Sequence, residues 1–279
     1  MTSERLDRKR RLQEMLDTSL TFVLDIPDDR LIYVQNGDGI IQAEEILRTA
    51  TIIGIDTETQ PTFYKYGARN ARRKSEGSSA GEKGGEKTSR SPGKKQKFPR
   101  NPCALLQIAV RDAAGLETVL LFDTLRLLPG FETELSTILG RVFRSHEVLK
   151  LGHGLKQDLF ELHASYPLKG FKALENVLEV DDLSKVVWPG DQMRSLQVMV
   201  LRFLDSALNK KQQCSNWGHR PLSLKQMEYA ACDALVLLRL YDAIRAEIGD
   251  RDANFDLRAL RLDFAVREPE AQKETGLKV

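Results

Sequence analysis

A chain of 279 residues, 41% of them hydrophobic, is long enough to bury a full core, so a globular protein is expected. The net charge of +2 argues neither for nor against a nucleic-acid partner. Three scattered cysteines are too few for a disulfide framework and form no zinc-type pair, which indicates buried thiols in a reducing compartment. No apolar run is long enough to span a membrane, and the N-terminus lacks the apolar core of a signal peptide. An intracellular protein, nuclear or cytoplasmic, with no membrane partner is therefore predicted.

The predicted elements, taken in chain order, describe a mixed α/β protein. The predicted strands are 31–34, 51–59, 104–110, 118–123 and 148–152. The predicted helices are 4–23, 42–49, 131–143, one from 155 onward, 183–208 and 224–247. Ser223 and Gln226 have the spacing of a capping box at the start of the last helix. Three strands in an antiparallel meander, then a helix, then a strand is the order of an open mixed sheet.

Basic charge is concentrated in one segment of the chain. From Lys65 to Arg100 there are 12 Lys or Arg against three Glu, a charge of +9 that leaves −7 for the remainder. The composition over about 67–102 predicts a disordered basic insertion within a domain. It is either a solvated loop without a role or an arm that holds phosphates.

The predicted organisation has three parts. A helical extension covers 1–30, and a domain that contains the insertion covers 31–250. A charged tail covers 251–279, and its apolar residues are expected to pack back as a helix.

Four carboxylates stand at informative positions. Asp56 and Glu58 end a buried strand two residues apart, so both point to one side, where they repel unless a cation or a proton is shared. Asp158 lies in the first turn of a helix, where a carboxylate also simply suits the helix dipole. Asp233 lies within an apolar helix one turn after Tyr229, and a lone buried carboxylate there would cost several kcal/mol. The alternatives are a solvated strand end for the first pair and a solvent-facing Asp233.

Taken together, the four carboxylates form a ligand set made only of oxygen. Such a set suits Mg²⁺ or Mn²⁺ rather than zinc. Two of these ions about 4 Å apart clamp the attacking and leaving oxygens of an in-line displacement at phosphorus. Phosphodiester hydrolysis is the reaction that this set would support.

The pattern Asp56-x-Glu58, Asp158 and Tyr229-x-x-x-Asp233 resembles that of the DEDDy 3′–5′ exonucleases. The segment 215–223, which runs into Tyr229 and Asp233, resembles RNase D and the exonuclease domain of Werner-type helicases. The resemblance implies an RNase H-like (DnaQ-like) fold, with a mixed five-stranded sheet and helices on both faces. RNase D usually has Asn at the position of Gly154, which places the chain nearer to the Werner-type and small-RNA-associated branch.

The resemblance also implies a role for each site residue. Asp56, Glu58 and Asp233 would hold the ion that binds the attacking water. Asp56, with Asp158 acting through water, would hold a second ion at the leaving 3′ oxygen, and Tyr229 would orient the attacking water and help to deprotonate it. Thr59 and Phe63 are expected to contact the terminal nucleotide.

The predicted function is a metal-dependent 3′–5′ exonuclease that acts on single-stranded DNA or RNA ends and releases nucleoside 5′-monophosphates. One alternative is a nucleic-acid-binding module that kept the fold without catalysis, which predicts a missing carboxylate, and none is missing. Another is an interaction subunit of a small-RNA silencing or repair complex, with a protein partner docked on the insertion or the tail. DNA and RNA are not distinguished, because stacking and phosphate contacts discriminate sequence weakly.

Overall fold

The structure is a computed structural model that describes residues 3–61, 101–190 and 194–266. The predicted insertion lies almost entirely outside these residues, as do Phe63 and the end of the tail. The strands are β1 (Leu20–Thr21), β2 (Leu31–Val34), β3 (Ala50–Thr59), β4 (Cys103–Asp112), β5 (Glu117–Phe122), β6 (Leu149–Gly152), β7 (Ala173–Glu179), β8 (Ser206–Ala207) and β9 (Leu262–Ala265). The helices are α1 (Ser3–Thr18), α2 (Gly37–Arg48), α3 (Thr124–Leu127), α4 (Glu132–Phe143), α5 (Leu155–Ser165), α6 (Val180–Val187), α7 (Leu196–Leu204) and α8 (Leu224–Arg251). Across these described ranges, no helix combines the length and the hydrophobicity that a membrane span requires.

One mixed sheet organises the molecule, with strand order β2-β5-β4-β3-β6-β7-β9. The strands β3, β4 and β5 form the predicted antiparallel meander, while β2 and β6 run parallel to the outer strands of that meander. β1 and β8 form a separate parallel pair. The prediction of five strands is wrong in number, because β7 and β9 bring the sheet to seven. Glu175 and Asn176 interrupt the apolar pattern of β7, and Asn176 has a φ of 57°, so no regular alternation marks this strand in the sequence.

Helices cover both faces of the sheet and enclose two layers of core. α6, α7 and α8 pack on one face, and α2, α4 and α5 pack on the other. Along β3 the side chains alternate as a strand requires: Ile52 belongs to the first layer, and Ile53 and Ile55 belong to the second. The predicted arrangement of a mixed sheet between helices is confirmed.

Two of the predicted helices are wrong. The helix expected over 183–208 is divided into α6 and α7, because Trp188-Pro189-Gly190 lies between them and proline disfavours helix both at its own position and at the one before. The tail forms a 3₁₀ turn at Leu257–Leu260 and then β9, which pairs antiparallel with β7. The domain boundary predicted at residue 250 thus falls before a strand of the same sheet.

The helix α8 approaches the sheet closely where it crosses β3. A Cβ atom built on Gly54 would lie 2.4 Å from the backbone oxygen of Ala234 and 3.1 Å from Cβ of Leu237. At its start, the predicted capping box is present, with the Gln226 amide donating to the Ser223 hydroxyl oxygen and the Ser223 amide donating to Oε1 of Gln226. A capped start and a close crossing fix the position of the residues that α8 presents to the end of β3.

Candidate active site

Three carboxylates from two elements meet at the end of β3. Asp56 and Glu58 on β3 and Asp233 on α8 each offer an oxygen atom, and these atoms all lie within 4.8 Å of one another. Asp233 is only 7% exposed, so the interpretation of this residue as solvent-facing is excluded. The prediction that Asp56 and Glu58 share one side of the strand is confirmed.

The fourth predicted carboxylate stands beside this group rather than within it. Asp158, in the first turn of α5, accepts a hydrogen bond from Oγ1 of Thr57 at 2.7 Å. Thr57 lies between Asp56 and Glu58 in β3, so this bond places Asp158 next to the three-carboxylate cluster. Thr57 orients this side chain, a role that no local pattern in the sequence indicates.

The start of α5 is fixed by a second acid that sequence analysis missed. Gly154, at the N-cap, has a φ of 82°, a left-handed conformation that favours glycine. Its N–H donates to Oε2 of Glu179 at 2.7 Å. No regular alternation marks β7 in the sequence, so the sequence does not indicate that Glu179, at the end of this strand, lies near Asp158.

Burial and mutual repulsion disfavour ionisation throughout the cluster. Desolvation, followed by the charges of Asp158 and Asp233, raises the pKa of Asp56 well above its usual value. Desolvation and the charge of Asp56 raise the pKa of Glu58 to about 10. Burial raises the pKa of Asp158 to about 7 and that of Asp233 to about 6. A divalent cation would remove the repulsion that keeps these groups from ionising.

The chemistry of the donors fits Mg²⁺ or Mn²⁺. The converging ligands are carboxylate oxygens, the type that these hard ions prefer. Gln107 lies opposite Asp56 in the β3–β4 ladder, is fully buried, and has no hydrogen-bond partner for either side-chain polar atom within the described residues. Buried polar groups of this kind are usually satisfied by bound water, which suits a site that holds a hydrated ion.

Tyr229 lies one helical turn before Asp233, and the two residues line the same cavity. Burial and then the charge of Asp233 raise the pKa of Tyr229 well above its usual value. The phenol is therefore protonated at neutral pH. The ring centroid of Trp217 lies 6.0 Å from that of Tyr229, so the loop before α8 supports the tyrosine.

A buried ion pair anchors this loop to the sheet. Nε of Arg220 lies 2.6 Å from Oδ2 of Asp123, which is fully buried at the end of β5, and Nη2 of Arg220 donates to the Ala104 carbonyl at 2.8 Å. A Cβ atom on Gly218 would lie 2.4 Å from Nε2 of Gln60. The loop is thus held between β4, β5 and the residue that follows β3, and Trp217 is held behind Tyr229.

The residues predicted to contact substrate are only partly described. Thr59 is half-buried at the end of β3, next to Glu58, and Phe63 lies outside the described residues. The N–H of Gln60 donates to the carbonyl of Pro102 at 3.0 Å. The chain therefore leaves β3 and returns to β4 at neighbouring positions beside the cluster, as expected of an insertion within one sheet.

The metal-free protein is expected to lose stability as the pH rises from about 4 to about 7. The pKa values of Asp158, about 7, and Asp233, about 6, exceed the value of about 3.9 for an unfolded aspartate. The folded state therefore binds more protons in this window, and rising pH favours unfolding. The increase in Tm caused by MgCl₂, measured by thermal denaturation, should grow between about pH 5 and pH 8. A Mg²⁺-dependent Tm shift that is constant over this range would contradict a carboxylate cluster as the metal site.

Comparisons with known proteins point to one family. The sequence model of the family described as 3′–5′ exonuclease matches residues 93–249, more than half of the chain. A human protein named exonuclease mut-7 homolog is 30% identical over 186 residues, which cover 62% of this chain and 21% of that protein. Ribonuclease D of a Jannaschia species is 27% identical over 151 residues, covering 53% of this chain and 36% of that protein. This chain thus matches only about a fifth to a third of the length of these relatives.

A solved structure of the EXO domain of Nibbler from Aedes aegypti has a TM-score of 0.62 and 21% identity. The alignment covers 83% of this chain and 94% of that domain. At this identity the likeness concerns the fold, and it supports the predicted mixed α/β sheet of an exonuclease domain. The family match begins after β3, so Asp158, Tyr229 and Asp233 fall inside it and Asp56 and Glu58 fall outside. The pairing of β3 with β4 and β6 brings these two acids next to the residues that the family model matches.

Proposed function

Because this chain belongs to the 3′–5′ exonuclease family, we propose that it hydrolyses the phosphodiester bond at the 3′ end of a single-stranded nucleic acid and releases nucleoside 5′-monophosphates. The observation that carries the proposal is the meeting of Asp56, Glu58 and Asp233 within 4.8 Å, with Tyr229 one helical turn before the last of them. A fold kept only for binding would not need three carboxylates to converge at one point, where they repel when ionised.

Each carboxylate has a proposed task. Asp56, Glu58 and Asp233 would hold one divalent ion, and Asp56 with Asp158 would hold a second, with the hydrogen bond from Thr57 fixing the direction of Asp158. When bound, two such ions supply activation of the attacking water and neutralisation of charge on the departing 3′ oxygen. Mg²⁺ and Mn²⁺ both fit this oxygen-only set.

Tyr229 acts on the attacking water as an orienting group. Its phenol is protonated at neutral pH. The ring of Trp217 and the position one turn before Asp233 hold the phenol oxygen beside the cluster. The oxygen retains a lone pair, which accepts a hydrogen bond from water and turns a water lone pair toward phosphorus. The proton of the water passes to solvent or to a neighbouring carboxylate rather than to a phenolate.

RNA is the polymer to test first, because one relative carries the name ribonuclease D. Single-stranded DNA is the alternative, and Thr59 at the end of β3 is the described residue placed to contact the terminal nucleotide. Membership of a silencing or repair complex stays a prediction from the sequence.

The test is a degradation assay on the 279-residue chain with 5′-labelled and 3′-labelled single-stranded RNA and DNA. With Mg²⁺ or Mn²⁺, the 5′ label should move down a ladder of stepwise shortened products, and the 3′ label should appear at once as mononucleotide. Excess EDTA should stop both. Internal cleavage, release from the 5′ end, or full activity in EDTA would refute the proposal.

Replacing Tyr229 with Phe is expected to lower kcat by about 100-fold, because a positioned group that handles the reacting water typically contributes that much. KM and the Mg²⁺-dependent rise in Tm should stay unchanged, since the three carboxylates are untouched. Steady-state kinetics on a 5′-labelled oligonucleotide measure the effect. Tyr241→Phe, on the same helix and also half-buried, is the matched control and should retain wild-type activity. A Tyr229→Phe enzyme with normal kcat would remove the tyrosine from the mechanism.

A further inference from the structure

A cavity of about 360 Å³ lies beside Tyr229 and Asp233, within the range of small-molecule sites. Part of its lining is apolar, from Phe22, Val23, Leu208 and Cys232. The lining also carries charge, from Lys211, Lys225 and Glu228. None of these residues is assigned a task by the chemistry described above.

The segment that follows α1 builds one wall of this cavity. β1 pairs in parallel with β8, and the N–H of Phe22 donates to the carbonyl of Ala207 at 2.9 Å. Two residues after Val23, Asp25 pairs with Arg239 of α8 at 3.0 Å, and Arg239 in turn pairs with Glu117 at 2.6 Å. The wall is therefore fixed at both ends, against β8 and against α8.

The facing wall belongs to α8 and the turn after β8. Lys225, Tyr229 and Asp233 are spaced four residues apart and lie along one side of the helix. Lys211 stands in the 3₁₀ turn Lys210–Gln212, which Asn209 caps by accepting the Lys211 N–H at 3.1 Å. The cavity thus continues from the carboxylate cluster to two exposed ammonium groups.

We propose that this cavity is a nucleotide subsite of the exonuclease site, in which Lys211 and Lys225 hold a phosphate and the Phe22–Val23 wall takes the nucleobase. An apolar wall with an aromatic ring accepts any base, and lysine binds phosphate as a point charge. The inference rests on the proposed function and deepens it. Phe22 and Val23, which belong to the extension before residue 31, thereby become part of the substrate-binding site.

Removal of charge gives the first test, with a 5′-labelled uridine oligonucleotide as the substrate. The double change Lys211→Ala and Lys225→Ala should raise KM by about tenfold at low salt and leave kcat within about twofold, with the difference shrinking as salt is added. Glu228→Gln, which removes an acid from the same cavity, should lower KM. Lys169→Ala is the matched control, since this exposed lysine also lies in a 3₁₀ turn but not in the cavity lining. An unchanged KM in the double variant would overturn the subsite.

The apolar wall is tested separately with Val23→Asp, which places a carboxylate where the nucleobase would lie. Val23 is 62% exposed, and Ile41 on α2 is 61% exposed, so Ile41→Asp adds the same charge at equal exposure outside the cavity. We expect KM to rise by about tenfold in the first variant and not in the second. Equal effects of the two variants would show that the cavity has no special part in binding.

Free uridine 5′-monophosphate as an inhibitor identifies which nucleotide the cavity holds. A weaker inhibition in the lysine double variant, parallel to the rise in KM, assigns the cavity to the released nucleotide. A raised KM with unchanged inhibition assigns the cavity to a nucleotide further up the strand.

Fluorescence anisotropy of the labelled oligonucleotide in EDTA, where binding occurs without cleavage, separates the subsite proposal from the exonuclease proposal. If the wild-type protein cleaves nothing but binds, and the double variant binds about tenfold more weakly, the subsite stands and the exonuclease proposal falls.

Discussion

Replacing Asp56 with Asn is expected to reduce exonuclease activity by about a thousandfold or more. Asp56 is the carboxylate shared by both proposed ion positions, and loss of several kcal/mol of transition-state stabilisation corresponds to a factor of this size. The amide keeps the shape of the side chain, so the loss would reflect charge and not packing. Timed degradation of a 5′-labelled oligonucleotide with Mg²⁺ measures the effect.

The same substitution is expected to stabilise the metal-free protein. Burial and the charges of Asp158 and Asp233 disfavour an ionised Asp56, and a neutral amide removes this cost. In EDTA at about pH 8 the Tm should rise, by about 2–4 °C for each kcal/mol that the change relieves. Addition of MgCl₂ should raise the Tm of the wild-type protein and leave that of Asp56→Asn almost unchanged, because an ion that binds only the folded state stabilises it by mass action.

Asp250→Asn serves as the control, since Asp250 is an exposed acid near the end of α8. It should change neither the activity nor the Mg²⁺-dependent rise in Tm. An Asp56→Asn protein that cuts normally, or that still gains as much Tm from Mg²⁺ as the wild type, would mean that the metal binds elsewhere.

What the sequence made predictable was the side on which each acid of β3 points. A period of two is a property of any strand, so Asp56 and Glu58 had to share a face once the apolar run before them was recognised. The capping box at Ser223 was equally local and was found for the same reason. Asp233 could be placed at the cluster only by analogy with the exonuclease pattern, because no local rule brings a helix residue to a distant strand.

The features that could not be predicted depend on contacts between elements that are far apart in the sequence. The hydrogen bond between Thr57 and Asp158 and the ion pair between Arg220 and Asp123 join residues about a hundred positions apart. The cavity wall at Phe22 exists only because β1 pairs with β8, and both strands are too short to leave a pattern.

The structure explains how residues on either side of the long basic segment between β3 and β4 can form one site. Asp56 and Asp233 stand far apart in sequence, with the basic insertion between them. Because β3 and β4 are antiparallel neighbours, the insertion begins and ends at one edge, where Gln60 bonds to Pro102. A segment inserted at such a point leaves the register of both strands unchanged, so its length has no bearing on the distance between the acids.

Gly54→Ala is expected to impair both stability and activity by moving α8 away from β3. The new methyl carbon would lie 2.4 Å from the carbonyl oxygen of Ala234, a backbone atom that cannot rotate away. Overpacking of a buried contact costs about 1–3 kcal/mol. Asp233 precedes Ala234, so displacement of the helix separates it from Asp56 and Glu58, and a misplacement of about 1 Å at such a site can cost about 100-fold in rate.

Gly249→Ala provides the matched control on the same helix, because a Cβ atom there meets nothing within 4 Å. That substitution should stabilise the protein by about 0.4–1 kcal/mol through the unfolded state and leave activity unchanged. Chemical denaturation and exonuclease rates are measured for both variants, and the activity of Gly54→Ala is taken at a temperature where it remains folded. A folded Gly54→Ala protein with wild-type kcat and metal-dependent Tm shift would show that α8 can retreat without moving Asp233. In that case the close crossing at Gly54 would serve packing alone.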